Sequence, residues 1–164
     1  FFKSLEPYFE VETIEDGDAW AVLEQLEEQR GHGQAIGVLA RGDGLFRVIH
    51  PKADLDRAQL FSNRAPVLHD LDVTLLHGLL IERILGVDEK AQEQRLNLRY
   101  VKEAAELARQ VRAGDADIGF FLNPTPVEQV KSVAESGERM PQKSTYFYPK
   151  LVTGLVLNPL YDEE

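Results

Sequence analysis

The chain contains no cysteine and is poor in basic residues. Among its 164 residues, 18 Lys and Arg stand against 28 Asp and Glu, which gives a formal net charge of −10. Without thiols there is no disulfide framework, no thiolate metal site and no Cys nucleophile. The acidic balance disfavours binding to nucleic acid or to anionic membranes. We therefore expect a small ligand or another protein as the partner, and a homo-oligomer stays open.

Long apolar runs and a charged-then-apolar leader are also missing. No uninterrupted apolar stretch is long enough to span a bilayer, so we expect a cytoplasmic protein. The length suits a single domain over 1–164, with a subdivision into 1–66 and 67–164 as the alternative. Because the sequence begins at Phe1 rather than at Met, we expect it to be the C-terminal part of a longer protein.

The first third of the chain has three clear local patterns. Alternating apolar and polar residues predict a strand at 9–14 with one buried face. Asp18 is the expected N-cap of the helix that follows. Two apolar runs at 35–41 and 45–50, joined by Gly-Asp-Gly, predict a hairpin.

The remaining periodicities predict an α/β fold, with a mixed α+β fold as the alternative. A helix over 73–85 is apolar on most of its circumference, which is typical of a central helix packed on several sides, and we expect Asp70 or Asp72 to be its N-cap. A strand at 96–100, a helix at 101–113 and a strand at 118–122 predict a βαβ unit in a mixed sheet.

A segment near the C-terminus reverses the acidic character of the chain. No Asp or Glu occurs between Arg139 and Tyr161. Cations and hydroxyls crowd the Met140–Lys150 loop, and such a local reversal of sign favours an anion or phosphate site. The candidate ligand-binding residues in this segment are Arg139, Lys143, Ser144, Thr145, Tyr146, Tyr148 and Lys150.

Other interpretations of this loop stay open. It is not a glycine-rich phosphate loop, because no glycines precede Lys143 and Pro141 removes a backbone donor. In an extended segment Tyr146 and Tyr148 share a face, where they stack on a base, donate to an anion or lie half-buried under a helix. The plain alternative is a solvated loop in which Lys143 pairs with a surface acid.

A second candidate is Asn123-Pro-Thr-Pro126, which follows a predicted strand and leads into a helix. Thr125 as N-cap and Glu128 three residues later predict a capping box. A helix N-terminus favours negative charge, and ligands of open α/β sheets bind at such strand ends. Asn123 is therefore a candidate ligand-binding residue, provided that the Lys143 loop folds back beside it.

The histidines do not predict a metal site. His69 and His77 are eight residues apart, a rise of roughly 12 Å on a helix, so they cannot share one ion. Asp70, Thr74 and His77 form a polar stripe, which is either the solvated side of the helix or the lining of a cleft in which His77 acts as acid or base. The catalytic candidates are therefore His77 and Lys143.

Several segments from Leu71 onward resemble the C-terminal half of the family called domain of unknown function 1015. The segments that carry the resemblance are Leu71-Asp-Val73, Leu76-His77, Leu79-Leu-Ile-Glu-Arg-Ile-Leu-Gly86, Phe121-Leu-Asn-Pro-Thr125, Gly137-Glu-Arg-Met-Pro-Gln-Lys-Ser-Thr-Tyr-Phe-Tyr-Pro-Lys150 and Gly154-Leu-Val156. Fuller family members carry an upstream Asp-Gly-His-His-Arg motif similar to one in ParB-like proteins and free-serine kinases. That motif is absent here.

The resemblance implies the ligand-binding half of a nucleotide-dependent phosphotransferase that acts on a small metabolite. ATP or ADP with Mg would be the cofactor in the full-length protein, and the upstream domain would be a partner. The residues that match the family motif run from Met140 to Lys150. The alternative is a non-catalytic regulatory or assembly module whose aromatic loop is a protein–protein interface.

Overall fold

A computed structural model describes residues 1–15, 17–94, 97–141 and 144–145 of the chain. Its described strands form one antiparallel sheet in the order β1-β3-β2-β4. The strands are β1 Phe9–Ile14, β2 Ile36–Ala40, β3 Phe46–Pro51 and β4 Ile118–Leu122. The fold is therefore mixed α+β.

Helices surround the sheet on both faces. Those described are α1 Phe2–Leu5, α2 Ala19–Glu28, α3 Arg57–Leu60, α4 Asp72–Thr74, α5 Glu89–Glu93, α6 Ala104–Ala113 and α7 Val127–Glu135, with a 3₁₀ turn at Pro66–Leu68. As predicted, Asp18 caps α2: its carboxylate accepts hydrogen bonds from the backbone N–H groups of Trp20 and Ala21. No helix in the described ranges is both long and apolar enough to cross a membrane.

The predicted hairpin is confirmed, since β2 and β3 pair antiparallel with Ile36 opposite Ile49. The predicted βαβ unit is wrong. β4 pairs antiparallel with β2, and residues 97–100, the described part of the predicted first strand, contain no strand. Asn97 has a left-handed φ of 61°, a conformation through which a strand does not continue.

The predicted first strand is confirmed, since β1 spans Phe9–Ile14, but the prediction that one of its faces is buried is wrong. In β1 only Phe9 is buried, whereas the four residues that follow it are exposed. β1 is an edge strand, with β3 as its only neighbour in the described sheet.

Two apolar cores lie on opposite faces of the sheet. One face packs against the helix that the sequence predicts to be central, and the other against α2 and α6. The first core contains Leu5, Phe9, Ile36, Val38, Ile49, Phe61, Leu75, Leu76, Leu79, Leu80 and Ile81. The second contains Ala19, Val22, Leu26, Ala35, Leu39, Phe46, Val48, Ala108, Val111 and Phe121.

The central helix spans 72–84 and changes its winding along its length. After α4 the segment Leu75–Ile84 is a π-helix, and beyond it the N–H of Leu85 still donates to the carbonyl of Leu80, five residues back. Leu71 occupies the N-cap position without a side-chain bond. The expected cap by Asp70 or Asp72 is therefore wrong.

Candidate functional site

The start of the predicted ligand loop is held against the body of the protein by an apolar contact. α7 ends at Glu135, and Gly137, with a positive φ of 78°, turns the chain back after it. Met140 then packs on a cluster that joins α7, the end of β4 and the start of the central helix, which we call the Met140 cluster. Its members are Leu68, Leu71, Val73 and Val133, with Ala65, Val67, Leu122 and Met140 around them.

One hydrogen bond joins this loop to the end of β4. The hydroxyl of Thr125 donates to the carbonyl oxygen of Ser144 over 2.8 Å. The predicted capping box is therefore wrong, since Pro126 is the N-cap residue of α7 and the Thr125 hydroxyl is used elsewhere. This bond places Ser144 beside Thr125, whereas Lys143, on which the prediction for Asn123 depends, lies outside the described residues.

Ser144 is turned inward. Its side chain is buried, its hydroxyl donates to the carbonyl of Pro141 over 2.6 Å, and its N–H donates to the same carbonyl over 3.3 Å. The hydroxyl proton and the backbone proton are thus both used within the loop. Ser144 shapes the loop and is not a free donor to an anion.

Asn123 also makes an internal contact, because its amide donates to the carbonyl of Leu26 in α2 over 2.5 Å. Arg139 and Thr145 differ, since both side chains are exposed. Within the described ranges, Arg139 has no ion pair and Thr145 has no hydrogen bond from its hydroxyl. The other predicted ligand-binding residues, Lys143, Tyr146, Tyr148 and Lys150, lie outside the described residues.

Asp72 is an unusual carboxyl group, which the sequence predicts only as a candidate N-cap. It is the first residue of the central helix, and its neighbours Leu71 and Val73 belong to the Met140 cluster. Burial raises the pKa of Asp72 to about 7. The sequence carries one sign of this burial, because Asp72 lies between two apolar residues, Leu71 and Val73. Near neutral pH this carboxyl group exchanges between donor and acceptor roles.

His77 lies further along the same helix, half-buried, and is paired with a glutamine of α5. Its Nδ1 is 2.7 Å from Oε1 of Gln92. The Gln92 amide nitrogen is 2.9 Å from the Val87 carbonyl and 3.4 Å from that of His77. No hydrogen bond joins this pair to Ser144 in the described residues.

The polar stripe of the sequence analysis does not exist as a solvated face. Thr74 is fully buried, and its hydroxyl has no hydrogen-bond partner in the described residues. His69 precedes the helix and faces backbone, with Nε2 at 3.1 Å from the carbonyls of both Phe61 and Arg64. The stripe was predicted from the period of an α-helix, whereas most of this helix is π-helical.

The described residues thus offer two separate arrangements, an exposed cation and hydroxyl at a fixed loop and a half-buried imidazole with an amide partner. No three His, Asp or Glu side chains of the described ranges converge to hold a metal ion. No protein-family model, curated protein or solved structure matches this chain in comparison.

Proposed function

We propose that the segment from Met140 to Lys150 binds a small anionic or phosphorylated ligand, and that the fold fixes the start of this loop for that purpose. The observation that carries the proposal is the hydrogen bond from Thr125 to the Ser144 carbonyl. It brings the loop to the end of β4, where the N-terminus of α7 adds a favourable field for negative charge.

Charge and exposure support the same proposal. Arg139 is exposed without an acidic partner in the described chain, and Thr145 next to Ser144 is exposed as well. A guanidinium and a hydroxyl are donors suited to phosphate oxygens. In this proposal Ser144 sets the loop geometry. The residues that contact the ligand are Arg139, Thr145, Lys143 and Lys150.

In line with the family resemblance, the whole protein would be a cytoplasmic nucleotide-dependent phosphotransferase that acts on a small metabolite with ATP or ADP and Mg. This chain would supply the ligand-binding half, and the upstream domain the remainder. The phosphoryl group needs positive charge around its oxygens, and this is the chemistry that the loop offers.

Calorimetry on the 164-residue chain tests the anion site. Inorganic phosphate and Mg·ATP are titrated into the wild type, Arg139→Ala and Lys131→Ala. Lys131 is an exposed cation on α7 that pairs with Glu135, so its loss matches the charge change without touching the loop. We expect Arg139→Ala to weaken binding at least about tenfold, since a charge-assisted hydrogen bond contributes about 1.5–3 kcal/mol. Equal affinity in both variants would contradict the proposal.

The assembly module is the second candidate. Both donors of Ser144 are used internally, so the start of the loop can pack against a protein surface without leaving these donors unpaired. Sedimentation of the wild type and Tyr148→Ala over a range of concentrations distinguishes the candidates. A mass that rises with concentration only in the wild type supports assembly, and a constant mass in both rejects it.

A further inference from the structure

The pairing of His77 with Gln92 fixes which imidazole nitrogen carries the proton. A glutamine amide has one accepting oxygen and one donating nitrogen, and its orientation follows from its surroundings. The Gln92 nitrogen is near two carbonyl oxygens, those of Val87 and His77, at 2.9 and 3.4 Å. Carbonyls only accept, so the amide nitrogen must lie on their side and Oε1 must face His77.

The orientation of Gln92 then determines the tautomer of His77. Nδ1 of His77 lies 2.7 Å from an atom that can only accept, so Nδ1 carries the proton and donates it. In the neutral ring Nε2 keeps its lone pair. No described residue donates to or accepts from Nε2.

Local structure holds Gln92 in place. Gly86, in a left-handed conformation with φ 72°, ends the central helix, and Asp88 caps α5 through the N–H of Ala91 at 2.7 Å. These two turns bring α5 back to the central helix, so that Gln92, fifteen positions after His77, reaches the His77 ring. A π-helix at this position is a further indication, because such helices are frequent at functional sites.

We propose that Gln92 is a positioning residue that holds His77 as its Nδ1–H tautomer and leaves Nε2 as the proton-accepting nitrogen of the ring. When Nε2 takes up a proton, the ring becomes an imidazolium whose Nδ1–H still donates to Gln92. The geometry of the pair is independent of the anion loop.

His69 is an internal control for the tautomer. Its Nε2 lies 3.1 Å from two carbonyl oxygens, both of which only accept, so Nε2 carries the proton there. The two histidines are therefore expected to be opposite tautomers in one molecule, which a single spectrum of the 164-residue chain resolves.

Long-range ¹H–¹⁵N spectra at about pH 9, well above the usual histidine pKa of about 6.5, report the neutral tautomers. We expect Nδ1–H for His77 and Nε2–H for His69 in the wild type. In Gln92→Leu the His77 signals should shift to a tautomer mixture while those of His69 stay unchanged. Gln94→Leu, an exposed glutamine at the end of α5, is the matched control and should leave both unchanged. A wild-type His77 with Nε2–H, or one unaffected by Gln92→Leu, would overturn the proposal.

Chemical modification tests the availability of Nε2. Diethyl pyrocarbonate attacks an unprotonated imidazole nitrogen, and peptide mass mapping locates the product. We expect His77 to be modified in the folded wild type. A His77 that stays unmodified at a reagent concentration that modifies it in the urea-unfolded chain would overturn the accessible acceptor. Phosphate binding at the Arg139 loop is measured separately, so failure there leaves these two readouts interpretable.

Discussion

The Ser144 loop and the His77–Gln92 pair use similar polar groups in opposite ways. In the loop, the hydroxyl and N–H of Ser144 both donate to the Pro141 carbonyl, and the Ser144 carbonyl accepts from Thr125. In the pair, one imidazole nitrogen is committed to Gln92, and the other has no partner among the described residues. The hydrogen bonds of Ser144 fix the shape of the loop, whereas the bond from His77 to Gln92 leaves Nε2 of His77 as a nitrogen that can accept a proton.

The difference shows that a polar residue type does not define a role until its hydrogen bonds are assigned. Ser144 and Asn123 have the donors that an anion site needs, yet both are occupied within the protein. Thr145 and Arg139, less distinctive in the sequence, retain theirs. Internal hydrogen bonds therefore separate the residues that shape the loop from those that can contact a ligand.

The largest expected effect concerns Asp72, on the helix that connects the two regions. Because burial raises its pKa from 3.8 to about 7, the folded protein binds this proton more tightly than the unfolded chain. The free energy of unfolding should therefore fall as the pH rises from about 4 to about 7, by at most about 4 kcal/mol. Asp72→Asn should remove this fall and stabilise the protein at pH 8.

Urea unfolding of the wild type and Asp72→Asn between pH 4 and 8 measures this effect. Asp70→Asn is the matched control, since that carboxylate is 82 % exposed and lies 4.0 Å from Arg57. Its stability should follow the wild type at each pH within about 0.5 kcal/mol. A pH slope in Asp72→Asn equal to that of the wild type would show that Asp72 ionises normally.

A smaller effect is expected from Thr125→Val, which keeps the shape of the side chain and removes the donor to Ser144. The partly buried carbonyl then loses its partner, at a cost of about 1–2 kcal/mol in the free energy of unfolding. Ser132→Ala removes an exposed hydroxyl that bonds only within α7, so it should cost less than about 0.5 kcal/mol. If both variants unfold at the same urea concentration, the Thr125 contact does not anchor the loop.

Much of the fold follows from local sequence patterns. The hairpin of β2 and β3, the cap of α2 by Asp18 and the strand at 118–122 are each encoded within a few residues. The partner of that last strand is not local, since β4 pairs with β2 about eighty positions earlier in the chain. The predicted parallel crossover was wrong for this reason.

The candidate site was predictable in its residue types but not in its hydrogen bonds. Thr125 fits a helix cap by every local signal, yet its hydroxyl meets the Ser144 carbonyl, nineteen residues away. The sequence also does not indicate the role of Gln92, because a glutamine on a short polar helix is expected to face solvent. A π-helix adds a second difficulty, since side-chain faces calculated with the α-helical period do not apply along it.

The smallest effect on stability separates the two kinds of hydroxyl in the loop. Ser144→Ala removes the bond to Pro141 but leaves the backbone N–H on the same carbonyl, so the loss should be about 1 kcal/mol. Thr145→Ala should change stability by less than about 0.5 kcal/mol, because that side chain is exposed. If the loop binds an anion, phosphate affinity measured by calorimetry should fall several-fold in Thr145→Ala and less in Ser144→Ala. A larger loss of phosphate affinity in Ser144→Ala than in Thr145→Ala would mean that the Ser144 hydroxyl leaves the Pro141 carbonyl to bind the ligand. Ser144 would then contact the ligand rather than only shape the loop.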